Sequence, residues 1–239
     1  MTGKGAVCDS AVFGSAFCGE IGKRTTSIAS VALTLERKRN VAEGMQSLKL
    51  RLAQDISVGG SSSFSRTRVG AEAQFGMGGS WKLSVDAEGG YLTALDKKPI
   101  PLFERFYVSD STMRGFDLRG IGPKIQPTGA QATEFAAIGG RAYYVARTEL
   151  SVGIGGVFGT HGVRPSIFMD AGAVFAASKS GLLPGELVSG NSAKPRVAVG
   201  VGLALGTPAG KLRIDFAQPI SKQYGDRAKM LSISFGARI

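Results

Sequence analysis

Cysteine and histidine are nearly missing from this chain: Cys8, Cys18 and His161 are the whole supply in 239 residues. Transition-metal sites draw on several such ligands at close spacing, and here nine residues separate the two cysteines while the histidine lies far downstream, so no metal centre is expected. The two thiols fit a loop disulfide in an oxidising compartment and free thiols in a reducing one. Long apolar runs are also missing. No stretch approaches the about 18 uninterrupted apolar residues that a spanning helix needs, which excludes a helical membrane protein. Residues 1–20 hold no basic segment followed by an apolar one, so an exported chain is expected to carry its leader upstream of Met1. Blocks of like charge are absent as well. The formal net charge is +11, but the Lys and Arg residues fall singly, and nucleic acid is not expected as a partner. No glycine motif opens a helix, no Ser/His/Asp set stands in credible context, and His161 falls in a predicted tight turn. Asp86 and Glu88 stand two apart on a predicted strand and are read as lining residues rather than a catalytic pair. Neither an enzyme nor a cofactor is expected.

What the sequence has is glycine, 35 residues of it, and alternation. From Thr25 onward the chain breaks into segments with an apolar residue at every second position, bounded by Gly, Ser, Asn and Asp, which is the pattern of strands. At the carboxy terminus Leu231, Ile233, Phe235, Ala237 and Ile239 share one face, with Ser232, Ser234, Gly236 and Arg238 on the other. Leu212, Ile214 and Phe216 oppose Arg213 and Asp215; Val197 to Leu205 oppose Arg196, Ala198, Gly200, Gly202 and Ala204. Ile167, Met169, Ala171, Ala173 and Phe175 alternate with Phe168, Asp170, Gly172 and Val174, and Tyr144 to Ile154 alternate with Tyr143, Val145, Arg147, Glu149 and Ser151. Trp81 to Ala87 and Val69 to Phe75 complete the clear cases. Residues 25–38 and 46–57 fit less cleanly, and the tally is nine strands.

Connections alternate between short turns, such as 77–80 and 207–211, and longer ones, such as 178–194. A transmembrane barrel has such asymmetry, with apolar residues towards lipid and charged ones towards a wet lumen; a soluble sandwich with one face in water is the alternative that alternation leaves open. Nine is an odd count for a bacterial single-chain barrel, which predicts a piece of a larger one.

Residues 93–139 show no sustained alternation, yet carry Phe103, Phe106, Tyr107, Phe116 and Leu118, side chains that need something to pack on. Within them stand Met113-Arg114-Gly115-Phe116 and Gly120-Ile121-Gly122-Pro123. Gly139-Gly140, Thr148 to Leu150 and Phe168-Met169-Asp170-Ala171-Gly172 follow, and near the end come Gly200 to Gly202, Thr207 to Gly210, Leu212 to Asp215 and Ser234 to Gly236. In these motifs the chain resembles the BamA-type outer-membrane assembly barrels, also called the bacterial surface antigen family, and its alphaproteobacterial members in particular. It departs at Ser109-Asp110, where two glycines are common, and at Ile239, where the last residue is usually aromatic.

The resemblance implies an all-β fold: a transmembrane antiparallel β-barrel, here a partial one of about nine of sixteen strands with a long lumen-inserted loop. Residues 1–24 are then an irregular remnant of the upstream barrel, and residues 25–239 the carboxy-terminal part of the barrel with the inserted loop at 95–139. It implies a function in inserting β-barrel proteins into the bacterial outer membrane, or into that of mitochondria or plastids; an outer-membrane transport or secretion pore is the alternative. Implied partners are the lipid bilayer, unfolded barrel clients and accessory assembly subunits. Arg114, Gly115 and Phe116 would form the loop tip, with Gly120, Gly122 and Pro123 as the step behind it. By alternation Glu149 and Asp170 share the inner face of neighbouring strands, and a planar guanidinium suits two such carboxylates. The resemblance implies that Arg114 takes them as partners; separate solvation of each charge in the lumen is the alternative.

Overall fold

The computed structural model describes residues 8, 15–18, 20–126, 135–154, 162–177, 187–207 and 210–237. Among them one antiparallel sheet dominates. Its nine strands are β1 (Thr26–Lys38), β2 (Glu43–Gly60), β3 (Phe64–Met77), β4 (Trp81–Ala94), β5 (Ala142–Val152), β6 (Val163–Phe175), β7 (Arg196–Thr207), β8 (Gly210–Ser221) and β9 (Leu231–Ala237), each paired with its neighbours in chain order. Antiparallel neighbours need only short connections, and an up-and-down order follows from a sequence that alternates strand and turn. Among the described residues β1 and β9 are each paired on one side only.

Side-chain exposure follows the alternation. Ile167 and Met169 on β6 are 60% and 50% exposed, while Phe168 and Asp170 between them are buried. On β9, Leu231, Ile233 and Phe235 face outward and are exposed. The outer surface is thus an apolar band that would stand in lipid, and the inner one carries the charges. Ala173 belongs to the outward set and is nevertheless fully buried; its register partner is Tyr144, whose hydroxyl donates to the Ala193 carbonyl at 2.7 Å.

Strand β2 differs from its sequence outline for a local reason. β2 spans 18 residues, longer than the 46–57 expected, and its register with β3 slips between Met45 and Ser47. That bulge at Gln46 breaks the alternation that would otherwise have marked the first part of the strand. A second slip, between Ser27 and Ile28 of β1, leaves Val58 of β2 as the extra residue, so β2 carries a bulge near each end. His161, Arg238 and Ile239 lie outside the described residues.

The connections at one end of the sheet build a second layer. The segment 95–141 between β4 and β5 enters the concave side, where Leu102–Glu104 form a turn of 3-10 helix. Its Gly115–Phe116 pair with Ala228–Lys229, just ahead of β9, and its Lys124–Gln126 pair with Ala136–Ala137 and Leu187–Ser189. Met113, Phe116 and Ile121 of this segment bury themselves with Val145, Val174 and Ala198 of the sheet's inner face. Phe106 and Phe116 of the segment are thus core residues, whereas Phe103 and Leu118 stay exposed. A disulfide joins Cys8 to Cys18, and Ala16 and Phe17 beside it pack on Leu102, Ile125 and Ile138 of the inserted segment.

Candidate functional site

The tip of the inserted segment reaches the wall at Arg114. Its Nε donates to Asp170 Oδ2 at 2.8 Å, its Nη2 to Asp170 Oδ1 at 2.6 Å and its Nη1 to Glu149 Oε2 at 2.7 Å. The backbone N–H of Arg114 also donates to Asp170 Oδ2, at 2.9 Å. Glu149 and Asp170 are delivered from neighbouring strands β5 and β6, two residues out of register, so one fork bridges both. Burial pushes against the guanidinium's charge, but the bonds from Asp170 and Glu149 outweigh it and hold Arg114 above its ordinary range.

Three further residues complete the site; the sequence marked them as motif or strand-face residues and not as partners of Arg114. Phe168 lies under Arg114, with the guanidinium carbon 3.5 Å from the ring centroid. Arg213 on β8 donates to both oxygens of Glu149, at 3.0 and 2.7 Å, and also to Asp215. Asp215 Oδ1 in turn stands 3.8 Å from Arg114 Nη1. Two arginines and three carboxylates therefore form one network on the concave face. Glycines on the inner face of β7 make its room: a methyl group on Gly200 would come 2.5 Å from the Phe168 ring, and one on Gly202 within 2.5 Å of Asp215 Oδ1. Arg213 and Asp215 were visible as a polar face of β8, but nothing in the spacing brings β8 against β5. Flat, the two strands would stand about 14 Å apart across two intervening ones; only the curvature of the sheet closes that distance.

Gly115 and Phe116 sit beside Arg114 as the sequence places them. Phe116 is buried, and Gly115 has φ +86°, with the space for a side chain closed by Ala198 at 2.8 Å. The Gly120-Ile121-Gly122-Pro123 step lies further from the arginine and does other work. Arg227 N donates to Gly120 O and Ile138 N to Pro123 O, so the step fastens the segment to the 223–227 turn and to its own returning chain. Gly122 has φ +100°, and its Cα stands so near β6 that a methyl group would meet Val174 at 2.8 Å.

Behind this step Lys124 is 2% exposed and donates from Nζ to the carbonyls of Gly120 and Gly225. Burial pushes its pKa down to about 8. Arg196, wholly buried at the start of β7, donates to Asp226 Oδ2 at 3.0 Å and to the carbonyls of Ser192 and Gly190. At the opposite wall the root of the segment is held with reversed polarity. Arg66 of β3 donates to Asp55 of β2 at 2.8 Å and reaches the side chain and the carbonyl of Glu104 at 3.3 and 3.2 Å. Asp110, at the position of a usual glycine, accepts from Lys229 at 2.7 Å, and the Lys229 ammonium holds its carboxyl below the ordinary range.

An open sheet whose concave face grips an inserted arginine tip defines a class of barrel wall with an internal plug. Residues 9–239 match the model of the Omp85 superfamily domain, and the chain belongs to that superfamily. A SAM50-like protein of Schizosaccharomyces pombe is 30% identical over 161 residues, covering 67% of this chain and 32% of the relative. The outer membrane protein assembly factor BamA of Neorickettsia risticii is 28% identical over 158 residues, 64% of this chain and 19% of that protein. The crystal structure of BamA from Haemophilus ducreyi lacking POTRA domains 1–3 superposes with a TM-score of 0.66 at 21% identity, over 84% of this chain and 41% of that one. The fold is that of part of such a barrel. The chain spans about a third of the length of the first relative and about a fifth of the second.

Proposed function

We propose that this chain supplies the barrel wall of an outer-membrane assembly factor that inserts β-barrel proteins into a bacterial outer membrane, with the mitochondrial or plastid outer membrane as the alternative setting. Residues 25–239 form that wall, with 95–139 as its lumen plug and 1–24 as an irregular lead-in. The observation that carries the reading is the Arg114 tip bound to Asp170 and Glu149 inside a wall of the Omp85 superfamily. Exposed strand edges recruit partner strands through backbone hydrogen bonds, so a barrel wall with an accessible edge templates the next strand without covalent chemistry. Unfolded barrel clients are the substrates in this reading, lipid is the solvent, and accessory subunits deliver the clients.

The test is a reconstitution. The chain is refolded into phosphatidylcholine vesicles and a urea-unfolded barrel client is added, with folding followed by the heat-dependent gel shift of folded barrels. Faster client folding than in empty vesicles, lost in Arg114→Ala, supports the reading. Equal rates in loaded and empty vesicles, together with a large steady conductance, would replace it with a transport pore.

A further inference from the structure

Where β4 ends and β5 begins, a cavity of about 190 Å³ opens at the rim of the sheet, lined among others by Asp96, Lys97, Lys98, Arg105 and Arg141. Four cations face one carboxylate. Arg105 is fixed by bonds from Nε to the Ile100 carbonyl at 3.1 Å and from Nη1 to that of Ile138 at 3.2 Å. Arg141 is fixed by Nε on the Ala176 carbonyl at 3.1 Å. Among the described residues Nη2 of Arg105 and both Nη atoms of Arg141 make no hydrogen bond, and neither guanidinium has a carboxylate partner within an ion-pair distance. Among the described residues the nearby acids are Asp96 and Glu20. Asp96 Oδ1 accepts from the Lys98 backbone at 3.0 Å, and Glu20 accepts from Leu102 N at 3.2 Å and faces Arg24 at 3.6 Å. Burial holds Arg105 below the ordinary guanidinium range, with Arg141 pushing the same way against Tyr107 and Glu20, which raise it. Two guanidiniums lining one cavity are thus held by carbonyls, and the described acids nearby form no ion pair with either.

The surroundings say which kind of anion suits them. Tyr91 and Leu95, next to the lining residue Ala94, continue the outward apolar face of β4 and are 53% and 57% exposed. Aromatic side chains at a strand end mark the boundary between hydrocarbon and headgroups in a membrane barrel. A ligand filling both parts has several anionic oxygens for planar donor forks and a hydrocarbon tail for the outer face. Resting on the membrane-barrel reading above, we infer that this rim cavity binds the phosphate headgroup of a phosphomonoester lipid in the leaflet at the loop end, with Arg105 and Arg141 as fixed donors and Lys97 and Lys98 as mobile ones.

Native mass spectrometry of the 239-residue chain, released from detergent micelles after incubation with one probe at a time, tests this. The probes are phosphatidic acid, phosphatidylcholine of the same acyl chains, and inorganic phosphate. Expected is one retained phosphatidic acid per chain, with phosphatidylcholine bound about tenfold less, and a loss of about tenfold in Arg105→Gln/Arg141→Gln. Lys97→Gln/Lys98→Gln, at exposed positions that cannot unfold the protein, should lower retention about threefold. Equal retention of the two lipids, or unchanged retention in both variants, overturns the site. Retention of inorganic phosphate as strong as that of phosphatidic acid at equal concentration overturns the lipid as the source of the phosphate. A chain that fails to float with plain phosphatidylcholine vesicles overturns the membrane reading instead, which keeps the two failures apart.

Discussion

The inserted segment is clasped twice, and the two clasps are built from the same chemistry with the signs exchanged. At the tip the segment supplies the cation, Arg114, and the wall supplies Asp170 and Glu149; at the root the wall supplies Arg66 and the segment supplies Glu104. The difference is in how many partners each buried acid has. Asp170 is fully buried and, among the described residues, its side chain bonds only to Arg114. Asp55 at the root is shared between Arg66 and Arg68, and the Arg68 side chain is 47% exposed. A buried charge with a single partner is costly to strand, whereas a buried one that keeps a second, half-exposed arginine retains a counter-charge. The tip therefore sets where the segment sits, and the root tolerates change.

Breaking the tip should be the largest effect. Arg114→Ala leaves Asp170 without a counter-charge and should destabilise the folded barrel by about 3–5 kcal/mol in urea unfolding from micelles. Asp170→Asn in that background should recover part of the loss; an unchanged midpoint for Arg114→Ala would mean the tip network contributes nothing to the fold. Gly115→Ala comes next, since it places a methyl group 2.8 Å from Ala198 at a positive φ, at a cost of about 1–3 kcal/mol. At the root, Arg66→Glu should cost about 1–2 kcal/mol, and Glu104→Arg added to it should restore about half by re-forming the pair in reverse. Additive losses in the double variant would show that the root charges act separately.

The smallest effect is in pH. Lys124 titrates near 8 in the folded state and near about 10.4 when unfolded. Below about pH 8 both states hold the proton and the cost of burying it is fully present. Between about 8 and 10.4 the unfolded chain holds the extra proton, so this residue makes stability rise with pH, by about 1.4 kcal/mol per unit at most. Asp226, Asp117, Arg196 and Arg227 surround it and shape the slope, so the check is the difference between wild type and Lys124→Met over that window. Parallel curves for the two proteins would rule the buried ammonium out as its source.

Period-two alternation placed the nine strands because one face meets an apolar surround and the other a polar lumen, which leaves a trace at every residue. The same logic put Glu149 and Asp170 side by side, since neighbouring strands inherit their register from short connections. It could not place Arg213 and Asp215 beside them, because curvature is a property of the whole sheet. Nor could it pair Arg66 with Glu104, 38 residues apart with an irregular path between. The bulge at Gln46 hid the beginning of β2 for the opposite reason: one added residue inverts the pattern locally while the ladder continues. The fate of Cys8 and Cys18 was open in the sequence and is settled by proximity, in a disulfide.

The short ladder between Gly115–Phe116 and Ala228–Lys229 ties the plug to the very chain that becomes β9. Between them the Met230 carbonyl accepts from Ala217 N of β8, so the edge of the wall and the tip of the plug meet within three residues. Peeling the terminal strand from its neighbour thus tugs directly on the arginine latch, and releasing that latch slackens the seam.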